Sequence, residues 1–170
     1  SSIRVGKKGV QLLDQEFTQF QLLNMVLGGY FGSRLMSNIR EEKGYTYGIN
    51  SFNVNMRQGA YWCVATDVNG EQAGAVIEEI QKEIIRLQCE SVPEEELNLV
   101  KNYYYGELLR ELDGVFAQTD ALKHKLNYGT DNRFYLRMME EIRRCTPEDL
   151  LLMAKKYLAW EDMYIVDAGR

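Results

Sequence analysis

The chain is poor in the residues from which most catalytic sites are built. Its 170 residues include one histidine, three cysteines and two prolines. A single histidine, His124, excludes H-E-x-x-H and H-x-x-E-H zinc sites, each of which needs two. It lies in Lys123-His124-Lys125 and reads as part of a solvated helix face. Cys63, Cys89 and Cys145 are odd in number and widely spaced, with no C-x-x-C, which argues against a disulfide scaffold and for isolated thiols. Two prolines among 14 glycines exclude collagen-like and proline-rich chains. Positive charge is the minority sign: 20 Lys and Arg against 25 Asp and Glu give a formal net charge of -5. That balance argues against a nucleic-acid partner, because phosphate contact needs clustered cations. No phosphate-binding G-x-x-x-x-G-K-[ST] and no G-x-S-x-G nucleophile elbow occur.

Long apolar runs are also missing. The longest uncharged stretch, Phe17 to Ser33, is broken by Thr18, Gln19, Gln21 and Asn24, so no membrane span is expected. The chain opens on Ser-Ser without a basic segment and apolar run. Cytoplasm and bacterial periplasm both stay open as compartments.

What is present is core-forming material: 45% hydrophobic and 11% aromatic residues. That content suits one folded domain over 1–170. Ser2 to Val5 alternates as a strand, and Gly6 and Gly9 mark a loop. Phe17, Phe20, Leu23 and Leu27 recur at helical spacing, with Leu13 one turn earlier and Gly28-Gly29 as a stop. Ser33 is a candidate N-cap for a second helix carrying Leu35, Met36 and Ile39 inward and ending at Gly44. The period then becomes two over Tyr45, Tyr47 and Ile49, with a phase slip near Ser51-Phe52 that suggests a bulge. Asn55 to Gly59 reads as a hairpin turn and Ala60 to Val68 as the second strand.

Helices follow over Glu71 to Cys89, from Pro93 at a first helical position, over Phe116 to Tyr128, over Asn132 to Arg144, and after Thr146-Pro147-Glu148-Asp149. Glu94-Glu95-Glu96 reads as acids complementing a helix dipole on a solvated turn. Met163 to Val166 closes as a strand. This order predicts an α+β fold, with helices packed on one face of a small, mostly antiparallel sheet. Gly28-Gly29-x-x-Gly32 follows a helix, so the strand-first context of a dinucleotide fold fails.

One segment is more specific than all of this. The run from Leu22 to Tyr47, with L-G-G-Y-F-G-S-R-L over Leu27 to Leu35 and I-R-E-E-K-G-Y-T-Y over Ile39 to Tyr47, closely resembles the pitrilysin/insulinase family of zinc metallopeptidases. It is similar to the family's C-terminal half, which does not bind zinc. The hairpin, the Val92-Pro93 helix entry and the Thr146-Pro147-Glu148-Asp149 entry fit more loosely. The resemblance implies a metalloprotease half-domain of the processing-peptidase type. A related half carries H-x-x-E-H and the zinc, and the two close into a chamber for peptide substrates. It implies no cofactor in this chain, and zinc in a partner half of the same polypeptide or a separate subunit.

The resemblance also places an Arg/Tyr pair at Arg40 and Tyr47 as catalytic residues. Attack of water on a peptide carbonyl builds an oxyanion, and a guanidinium and a phenol both donate hydrogen bonds to such an oxygen. Gly28 and Gly29 lie in a loop that faces the chamber in the family, which implies substrate contact. Plainer roles stand beside these. Arg40 also suits a last helical turn on dipole grounds alone or pairs with an acidic neighbour, and Tyr47 suits an ordinary strand aromatic on the same face as Tyr45. Gly28 and Gly29 also suit a simple helix end. Two other functions share the fold or its edges: a non-catalytic scaffold subunit like the core proteins of the ubiquinol–cytochrome c reductase complex, and a module that binds extended peptides at a sheet edge.

Overall fold

A computed structural model describes residues 1–131 and 133–169. Four strands form one sheet: β1 (Ser2–Lys8), β2 (Thr46–Met56), β3 (Gly59–Val68) and β4 (Tyr164–Ala168). Their spatial order is β2-β3-β1-β4, and every neighbouring pair is antiparallel. Ile3 and Val5 of β1 pair with Thr66 and Val64 of β3, and all four turn inward. Arg4, between them, is exposed. This is the period-two pattern of a sheet with one covered face.

The covering layer is helical: α1 (Phe17–Asn24), α2 (Ala73–Cys89), α3 (Glu94–Arg110), α4 (Gly114–Tyr128), α5 (Phe134–Arg144) and α6 (Pro147–Tyr157). Phe20 and Leu23 of α1, Ile80 and Ile84 of α2, and Leu97 and Val100 of α3 share a core with Trp62 of β3. Trp62 is 1% exposed, and its indole N–H donates to Asn24 Oδ1 at 2.7 Å. The buried tryptophan is therefore polar-satisfied as well as packed. The capping box expected at Thr146 is formed. Asp149 N–H donates to Thr146 Oγ1 at 3.2 Å, and Thr146 N–H donates to Asp149 Oδ2 at 2.9 Å.

Several local expectations are corrected. β1 does not end at Val5: Gly6 sits inside it, paired with Cys63, and a Cβ there would lie 2.7 Å from Trp62 O. Close strand approach, not a loop, explains that glycine. Leu13 stands outside the helix and is exposed. Beyond Asn24 the helix widens into a π-helical turn over Met25–Gly29, and the second helix is mostly π-helical over Met36–Glu42. Such turns recur at functional sites. Ser33 does not cap: its hydroxyl is buried without a hydrogen-bond partner. Pro93 is the N-cap of α3 rather than its first helical residue. The bulge in β2 falls between Thr46 and Ile49, not at Ser51-Phe52. The expected helix start at Asn132 lies outside the described residues.

Candidate functional site

The stretch that carries Arg40 and Tyr47 is a π-helical turn, a reversal and a bulged strand. Gly44 makes the reversal with φ +65°, a conformation that a side chain disfavours. Three backbone bonds close it: Lys43 N–H to Asn38 O at 3.1 Å, Gly44 N–H to Arg40 O at 3.1 Å, and Tyr45 N–H to Ile39 O at 3.0 Å. The last carbonyls of the turn are thereby satisfied.

The two candidate residues leave this reversal differently. Arg40 is half-buried, with its guanidinium 3.1 Å from Glu41 and 4.9 Å above the ring of Phe31, a cation–π distance. Both partners lie at the surface. Tyr47 is fully exposed. The bulge is the reason: an extra residue between Thr46 and Ile49 turns Tyr47 and Gly48 outward together while Ile49 points into the core. Tyr45 instead packs against the core, so the two tyrosines do not share a face. No hydrogen bond or ion pair joins Arg40 to Tyr47 among the described residues.

The bulge is pinned by two threonines. Thr66 hydroxyl contacts Thr46 Oγ1 and Gly48 O, each at 2.9 Å. Gly48 N–H donates to Thr46 Oγ1 at 3.1 Å, and the Thr46 hydroxyl reaches Asp67 O at 2.8 Å. The π-helical turn is held from beneath by α2. Glu79 accepts from Lys82 at 2.7 Å, from Lys43 at 3.0 Å and from Asn38 at 3.3 Å. Hydrogen bonds from Lys82, then Lys43 and Asn38, outweigh desolvation and pull its carboxyl down to about 2. Composition gives no signal for either clamp. Their members lie 20 or more residues apart in pairs such as Thr46 with Thr66 and Asn38 with Glu79.

Gly28 is buried against β2. A Cβ there would meet Ser51 Oγ at 2.7 Å and Ser51 N at 2.8 Å. Asn24 fixes the same contact, donating to Ser51 O at 3.1 Å and accepting from the Ser51 hydroxyl at 3.2 Å through its carbonyl. Gly29 is half-buried beside Met25. Next to this loop, Arg34 forms a bidentate pair with Glu96 at 2.9 and 2.8 Å. Glu96 is thus an anchor between the loop and α3, not a freely solvated acid like Glu94 and Glu95.

His124 does not lie on a solvated face. Its ring is 4.6 Å from Tyr128 and 6.2 Å from Phe134, and its Nδ1 is buried without a partner. Burial lowers its pKa below the usual histidine value. Among the described residues no group of three or more His, Cys, Asp or Glu side chains is placed to hold a metal ion. The residues present do not fit zinc. No helix among the described residues is long and apolar enough to cross a membrane.

Comparison with known proteins agrees with this architecture. The family described as Peptidase M16 inactive domain matches residues 1–104. Zinc protease YmxG of Bacillus subtilis (strain 168), described as uncharacterized, is 27% identical over 111 residues, covering 65% of this chain and 27% of YmxG. The crystal structure of a peptidase M16 inactive domain from Pseudomonas fluorescens superposes with TM-score 0.87 at 22% identity, over 96% of this chain and 39% of that one. A chain of complex III2 from Candida albicans superposes with TM-score 0.78 at 19% identity, over 96% and 41%. The chain thus spans between about a quarter and two-fifths of these relatives. It belongs to the Peptidase M16 inactive domain family, the half of pitrilysin-type zinc proteases that lacks the metal site.

Proposed function

We propose that residues 1–170 act as one domain that completes the chamber of a zinc metallopeptidase, contributing Arg40 and Tyr47 to peptide-bond hydrolysis. Zinc belongs to a partner half, in the same polypeptide or in another subunit. Tyr47 carries this reading. Its ring is fully exposed, yet the backbone beneath it is held by the Thr46–Thr66 clamp. A rigid bulge that presents an unpacked phenol to the outside is what a pre-organised donor requires. Arg40 complements it, because a substrate carbonyl can displace its surface contact with Glu41 at modest cost. Both side chains donate hydrogen bonds to the carbonyl oxygen as negative charge builds there. Gly28 sets how closely the loop lies on β2, and Gly29 offers backbone to an extended peptide.

The test is reconstitution. The chain alone should show neither stoichiometric zinc nor peptidase activity. Activity should appear when the zinc-bearing half is supplied with it. Tight stoichiometric zinc in this chain, or full activity of the zinc half without it, would overturn the proposal. The likeness to a chain of complex III2 favours a second reading, a scaffold of the same fold without chemistry. Assembly with a partner that never yields turnover supports that reading instead.

A further inference from the structure

The helix layer frames a half-open cavity of about 580 Å³ that the proposed peptidase role does not use. It lies among α1, α3, α4 and α5, away from Arg40 and Tyr47. Its wall is apolar and aromatic, with Phe17, Leu108, Tyr128, Phe134 and Met138. Polar groups converge on that wall. Tyr104, 8% exposed, is one of them. His124 contributes its ring face and the unpartnered Nδ1.

Charge at this cavity has one sign. Glu111 and Asp120 line it, and no lysine or arginine does. Neither carboxylate forms an ion pair among the described residues. The helix that closes the cavity is α4, none of whose residues is buried. It is bracketed by Gly114 at φ +85° and Gly129 at φ +70°. One wall of the cavity is therefore outside the core, and the cavity opens to solvent.

We propose that this cavity binds an amphipathic organic cation, with an aromatic or alkyl body against the aromatic wall and an ammonium between Glu111 and Asp120. Apolar pockets with a few placed polar groups are the common form of a small-molecule site. The aromatic faces attract a cation, and two unpaired carboxylates supply its counter-charge. An anion of the same shape meets repulsion from both acids. A neutral molecule of that shape leaves their charge uncompensated.

The probe is tryptamine, titrated calorimetrically into the 170-residue chain, with 3-methylindole and indole-3-propionate as neutral and anionic counterparts. Tryptamine should bind one to one and at least about tenfold more tightly than either. Replacing both acids, Glu111→Gln with Asp120→Asn, should weaken it about tenfold. Removing two remote carboxylates, Glu94→Gln with Glu148→Gln, should change nothing, which separates the site from the general acidity of the chain. Filling the cavity by Ala121→Trp should abolish binding. Equal affinity for the three indoles, an unaffected acid-free variant, retained binding in Ala121→Trp, or no binding at all would each overturn the proposal.

Discussion

Glu79 shows how one half-buried carboxylate on α2 reaches the site. Its carboxyl holds Lys43 and Asn38, both in or beside the turn that carries Arg40. Its pKa is pulled from 4.5 down to about 2. A carboxyl whose folded pKa is depressed contributes stability that is present above its unfolded pKa and lost as pH falls toward the folded one. Stability of the wild-type chain should therefore drop between pH 4.5 and pH 2, and Glu79→Gln should flatten that part of an acid-denaturation curve. An unchanged acid limb in the variant would remove Glu79 from this role. The thiols make a second prediction at this scale. Burial, with Asp149 adding to it, pushes Cys145 up to about 12, and burial raises Cys63 as well. Cys89 is exposed. A native-state thiol titration should show one fast group, lost in Cys89→Ser, with the other two reacting only on unfolding.

Among the elements, the contact between the Gly28 loop and β2 is the tightest near the site. A methyl at Gly28 has no room beside Ser51, so Gly28→Ala should destabilise the chain by about 1–3 kcal/mol through overpacking. Denaturant unfolding measures this, and a change below about 0.5 kcal/mol would contradict the packing account. Sequence periodicity located this helix and its stop because Phe17, Phe20, Leu23 and Leu27 recur on one face. It could not show that the last turns are π-helical, since widening depends on what packs beneath them. The bulge is not marked in the sequence: the phase slip at Ser51-Phe52 falls on a regular stretch of the β2–β3 ladder. Tyr45, Tyr47 and Ile49 alternate without a break in sequence, yet the Thr46–Thr66 clamp, a cross-strand contact, turns Tyr47 out. Sequence neighbours mislead at His124 for a similar reason: its flanking lysines say nothing of Tyr128 and Phe134 against its ring.

At the scale of the whole molecule, the α+β arrangement followed from the order of elements, and the structure has it: helices cover one face of an antiparallel sheet. The other face carries Phe52 against Tyr61 and is left open, and the edge strand β4 is exposed along its length. The family was legible from the stretch between Leu27 and Tyr47, because glycines, an arginine and tyrosines at fixed spacing are rarer than any hydrophobic period. The proposed role of the chain rests on the pair in that stretch. The most direct measurement is the turnover of the assembled peptidase with Arg40→Ala and Tyr47→Phe, with zinc content followed in parallel. Each substitution should lower kcat by about 10²–10³ while zinc stays bound. Unchanged kcat in both variants would contradict that role and leave this chain a wall of the chamber without a part in the chemistry.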